Sequence, residues 1–166
     1  MPAHLLLFSA GSARQSGRRQ NLPQVKGQLK ELLEALLPLV ERLHAKGDLA
    51  PTAAYLDASG EIGGFAFTSD DVAAADMTVD EALQRMQERM RELAAAQDIV
   101  ASAIFYHAVS LEDDVRPAAY ASEAAMLIGM LEDVDGQSFY FARPYTSGPV
   151  YQRARLIERP PTVFVD

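Results

Sequence analysis

The stretch IVASAIFYHAVSL at residues 99–111 constrains the fold more than any other part of the chain. In an extended strand, alternate side chains point to opposite faces. One face then carries Ile99, Ala101, Ala103, Phe105, His107 and Val109. The other carries Val100, Ser102, Ile104, Tyr106 and Ala108. Both rows are largely apolar, so the segment reads as a central strand. AMLIGMLE, ending at Glu132, reads as a second buried strand. QSFYFARPY, ending at Tyr145, returns the chain as a third.

Helical spacing precedes these strands. Over residues 25–46, Val25, Leu29, Leu32, Leu33, Leu36, Leu37, Val40 and Leu43 form a wide apolar stripe, and Gly47 supplies a stop. Pro38 lies inside this run. It lacks a backbone donor and is expected to kink or split the helix near Ala35–Leu37. Residues 51–68 read as two short strands around DASG. Thr78 and Glu81 have capping-box spacing at the head of a second helix. Val79, Leu83, Met86, Met90 and Leu93 form its inner face, and Gln84, Arg85, Glu88, Arg91 and Glu92 its outer face.

Two stretches share a pattern, LDASGEIGG at 56–64 and LEDVDGQSF at 131–139. Each sets an aspartate three residues before a glycine, Asp57 before Gly60 and Asp133 before Gly136. A calcium loop of the EF-hand type needs glycine at position 6 and a bidentate glutamate at position 12. Neither stretch has them. Aspartate and glycine at this offset suit a tight turn, where the carboxylate accepts from turn amides and glycine takes positive φ. Both stretches are therefore read as hairpin tips.

The order helix, hairpin, helix, then sequential strands predicts an α+β fold. The expected architecture is a two-layer sandwich: an antiparallel sheet of about five or more strands, with two main helices packed on one face. Residues 25–166 form this single domain. Residues 1–24 form a basic, partly flexible N-terminal arm. The element order is similar to that of roadblock, longin and profilin-like domains. That similarity implies dimerisation and partner docking, and it carries over no site residue.

Composition narrows the function classes. The chain has 166 residues and a formal net charge of −8, which disfavours general binding to nucleic acid or to an acidic membrane. The basic residues are uneven. Arg14, Arg18, Arg19, Lys26 and Lys30 lie in the first 30 residues, which hold no acid. Such an arm beside an acidic body folds onto that body, folds onto a neighbouring subunit, or stays solvated. There is no cysteine, which excludes disulfides and thiol catalysis and fits a cytoplasmic setting. No apolar run approaches the ~20 residues of a membrane helix.

Two groups of residues are candidates for function. His107 lies near Tyr106 and is followed by Glu112 and Asp113. A histidine with carboxylates suits acid–base work or a divalent ion, and these four residues would line a ligand pocket between sheet and helices. Tyr140, Tyr145, Tyr151 and Arg153 suit an interface, because tyrosine is large, rigid and amphipathic. No phosphate loop and no nucleophile elbow is present, and no cofactor is expected. The reading is a non-catalytic protein-association or regulatory module that self-associates as a homodimer. The alternative is a small-molecule-binding protein or enzyme with its pocket near His107.

Overall fold

The structure is a computed structural model that describes residues 6–10, 25–46, 51–66, 77–111, 114–117, 126–146 and 150–165. Its strands are β1 (Leu6–Ala10), β2 (Thr52–Asp57), β3 (Ile62–Ala66), β4 (Ile99–Leu111), β5 (Asp114–Pro117), β6 (Met126–Asp133), β7 (Ser138–Thr146), β8 (Val150–Tyr151) and β9 (Arg155–Glu158). Its helices are α1 (Gly27–Ala45) and α2 (Val79–Ala95).

The nine strands form one sheet in the order β1-β3-β2-β4-β6-β7-β8, with β5 paired to β4 and β9 to β7. Every pairing is antiparallel. β4 is central, with Ala54 opposite Ala103 on one side and Leu131 opposite Ala103 on the other. The α+β class and the antiparallel sheet are those read from the sequence, and the order of elements roughly matches, with β1 added ahead of α1 and β5 between β4 and β6. Leu6–Ala10, assigned to the N-terminal arm, instead pair with β3 and extend the sheet at that edge. Residues 1–5 and 11–24 of the arm lie outside the described residues.

The packing refines where the helices sit. α1 buries Leu29, Leu32, Leu33, Leu36, Leu37 and Val40 against Ala101, Ala103, Phe105, Leu127, Leu131 and Phe141. α2 buries Ala82, Leu83, Met86 and Met90 against Ile99, Ile104, Tyr106, Ile128 and Ala142. Phe105 and Ile104 are neighbours in one strand and so face opposite ways. Each helix therefore covers its own face of the sheet, and the expectation that both share one face is corrected to one helix per face. The cause is the apolar character of β4 and β6 on both sides, since all eight residues of β6 are buried.

Local chemistry sets the element ends. At the head of α2 the Thr78 hydroxyl accepts from Glu81 N–H at 3.1 Å, and the Glu81 carboxylate accepts from Thr78 N–H at 2.9 Å. This is the expected capping box. The β2–β3 turn closes on Asp57, whose Oδ1 accepts from Ser59 N–H and Glu61 N–H, each at 2.9 Å. The β6–β7 turn closes on Asp133, whose Oδ1 accepts from Asp135 N–H at 3.0 Å and Gln137 N–H at 2.9 Å. Gly60 and Gly136 take φ of +89° and +92°. Both aspartate–glycine stretches are thus hairpin tips. Pro38 is held within one continuous helix on its exposed side, so α1 is not split.

Candidate functional site

The site opens where α2 stops covering the sheet. This helix lies chiefly over β4, which leaves part of β6 and β7 uncovered beside it. The result is a cleft of about 310 Å³, at the lower end of the usual range for small-ligand sites. Its floor is Tyr106 from β4, Met130 from β6 and Tyr140 from β7. Its wall is the side of α2 bearing Asp80, Leu83, Gln84, Gln87, Glu88 and Arg91, residues that recur every three or four positions and so share one face.

The floor is the more buried part. Tyr106 is 4% exposed. Burial pushes its phenol above the ordinary tyrosine range, with Tyr140 and Asp80 adding to the shift and Arg159 opposing it. The Tyr106 hydroxyl is therefore protonated across the neutral range. The guanidinium of Arg159 lies 4.8 Å from the ring centroid of Tyr140. Gln87 Nε2 donates to Met130 Sδ at 3.7 Å, and Gln84 Nε2 donates to Glu88 Oε1 at 3.4 Å. The titratable groups among the described lining residues are Asp80, Glu88, Arg91, Tyr106 and Tyr140.

One flank of the cleft is held by a buried carboxylate. Glu132, 1% exposed, is the penultimate residue of β6 and faces the α2 side. It accepts from Thr162 N–H at 2.8 Å, Thr162 hydroxyl at 2.9 Å, Val163 N–H at 2.9 Å and Arg159 at 3.2 Å. Arg91 Nε donates to the Thr162 carbonyl at 2.9 Å. Val163, 3% exposed, is thereby seated in the α2-side core. Arg159, Glu132 and Arg91 together fix the segment after β9 against the cleft.

A second polar cluster lies on the opposite face, under the end of α1. His44 Nδ1 and the Tyr151 hydroxyl share a hydrogen bond of 2.5 Å, and His107 Nδ1 and the Tyr145 hydroxyl share one of 3.2 Å. The two imidazoles meet edge to face with centroids 4.6 Å apart. His107 is 5% exposed, and its Nε2 has no partner among the described residues. Burial, with His44 as a lesser cause, lowers its pKa to about 4. Burial also lowers that of His44, and it raises Tyr151 to about 12. Near neutral pH all four groups are uncharged. They tie α1 to β4, β7 and β8 as a neutral polar lock. Arg143 closes its rim, 4.6 Å from the Tyr151 ring centroid and 2.6 Å from Glu41.

The candidate residues thus divide. Tyr106 lines the cleft, while His107 points to the other face, so one pocket does not hold both. Glu112 and Asp113 lie outside the described residues. Among the interface candidates, Tyr140 lines the cleft, Tyr145 and Tyr151 belong to the histidine cluster, and Arg153 is exposed. Sequence reasoning did not place His44, Glu132 or the amides Gln84 and Gln87 at a site. Two signals were present: His44 follows Val40 by four residues on the buried stripe, and Glu132 has the strand parity of Ile128 and Met130.

Among the described residues, no group of three His, Asp or Glu side chains is placed to hold a metal ion. No described helix is long and apolar enough to cross a membrane. No family model, curated protein or solved structure matches the chain.

Proposed function

We propose that this chain is a non-catalytic protein-association module whose contact site is the cleft between α2 and the sheet. The observation that carries the reading is the cleft itself. It is an open site with two tyrosines on its floor and two glutamine amides on its wall. The part-exposed Tyr140 ring gives rigid contact area above the buried Tyr106, and glutamine amides match the donors and acceptors of a peptide backbone. A groove along a helix suits an extended partner segment. The histidine cluster is assigned a structural role, because its rings are packed together and buried.

The test is a heteronuclear NMR titration of the ¹⁵N-labelled chain with a pool of random tetrapeptides at millimolar concentration. The expected result is a set of shifts confined to the amides of residues 80–91, Tyr106, Met130 and Tyr140. A pool that leaves these amides unmoved sinks the proposal. The homodimer expected from the sequence is read from the same spectra without peptide. Shifts of the cleft amides with protein concentration identify a second copy as the occupant.

A further inference from the structure

The segment after β9 is seated by side chains rather than by strand pairing. Thr162, Val163 and Phe164 donate their N–H groups to Oε1 of Glu132, at 2.8, 2.9 and 3.4 Å. The Thr162 carbonyl accepts from Arg91, a side chain of α2. Val163 is the apolar anchor, buried in the α2-side core with Met86, Met90 and Met130. The ladder of β9 with β7 ends at Glu158. The segment can therefore leave its seat while every strand pairing of the sheet is kept.

Two further features bear on where the segment goes. Pro160 and Pro161 join it to β9, and both are exposed. Proline carries no backbone N–H, so redirecting this hinge breaks no main-chain donor bond. Large apolar side chains are also left exposed on either side of the hinge, Ile157 within β9 and Val165 beyond the anchor. Among the described residues only Val134, in the β6–β7 turn, is a third of that kind, so exposed apolar surface is concentrated around this segment. Such surface marks a contact.

We propose that this segment is exchanged between two copies of the chain, each placing Thr162, Val163 and Phe164 on Glu132 and Arg91 of the other. Every copy carries both the seat and the segment, so the exchange is reciprocal and keeps all the contacts above. Exchange of an identical element is a low-cost route to a dimer. Drawn together at this seat, the two copies also take Ile157 and Val165 out of water, a gain that seating within one copy lacks. Exchange at this seat and peptide binding along the cleft are separate events, and either can fail alone.

The test refolds two samples of the full chain together from urea, both deuterated. One carries ¹³C-labelled valine methyls and the other ¹³C-labelled methionine methyls. A nuclear Overhauser contact between Val163 and a methionine methyl then arises only across copies. The expected result is that contact, in a particle that sedimentation shows to be a dimer. Val163→Asp, which puts a charge on the anchor, weakens the dimer at least about tenfold. A chain labelled at both residue types serves as the control. If the contact appears there but not in the mixed sample, the segment stays in its own copy and exchange is overturned, whether or not the cleft binds peptide. A chain that stays monomeric as its concentration rises overturns it too, as does a Val163→Asp dimer as tight as the parent's.

Discussion

Replacing Glu132 by alanine tests how the cleft flank is built. The carboxylate is 1% exposed and satisfies Thr162 N–H, Val163 N–H, the Thr162 hydroxyl and the Arg159 guanidinium. Truncation leaves those donors without their acceptor. It also leaves the Arg159 side chain, itself 7% exposed, as an uncompensated buried charge. Breaking one member of a buried pair costs about 3–5 kcal/mol. The backbone donors belong to the same network, so their loss falls within that range rather than adding to it. Glu132→Gln keeps the shape and one acceptor but removes the charge facing Arg159, for a cost of about 1.5–3 kcal/mol. Urea unfolding followed by circular dichroism measures both. Hydrogen exchange at Thr162, Val163 and Phe164 shows whether the segment after β9 is released. An alanine variant within about 1 kcal/mol of the parent, or one with those amides as protected as before, refutes the reasoning.

Three further outcomes are expected. His107 has its folded pKa lowered from 6.5 to about 4, so between those values the unfolded chain binds more protons. Its contribution, on the order of 3 kcal/mol, is complete above pH 6.5 and is lost as pH falls toward 4. Urea midpoints at pH 7 and pH 4.5 should show this, and His107→Leu should flatten the difference. Gly129 sits opposite Phe105, and a Cβ there would lie 2.8 Å from the Phe105 ring, so Gly129→Ala should cost about 1–3 kcal/mol by overpacking in the same unfolding assay. Thr78→Ala removes the cap of α2 and should cost about 1 kcal/mol, with faster hydrogen exchange in the first turn of that helix.

Local and periodic features were legible in the sequence. The apolar stripe of α1, the Thr78–Glu81 box and the two aspartate–glycine turns each depend on residues a few positions apart. The double-sided apolar pattern of residues 99–111 marked a central strand, but not that each face would be covered by its own helix. Sequence order alone did not say which helix supplied which cover. The cleft was less legible because its floor and wall come from four elements. Gln84, Glu88 and Arg91 read as an ordinary outer face, and they line a cleft only because α2 leaves Met130 and Tyr140 uncovered. Tyr106 and His107 were grouped because they adjoin, yet strand alternation sends them to different faces. His44 meets His107 across 63 residues of sequence, a contact that no local pattern encodes.

The central claim is that the α2 cleft is a protein contact site. Its most direct test places a photoreactive amino acid at Gln87, inside the cleft, and at Arg85, an exposed position of α2 outside it, and compares protein adducts formed in the cells that make the chain. A discrete adduct from position 87 that is absent from position 85 is expected. Equal adducts from both positions, or none from position 87, would contradict it.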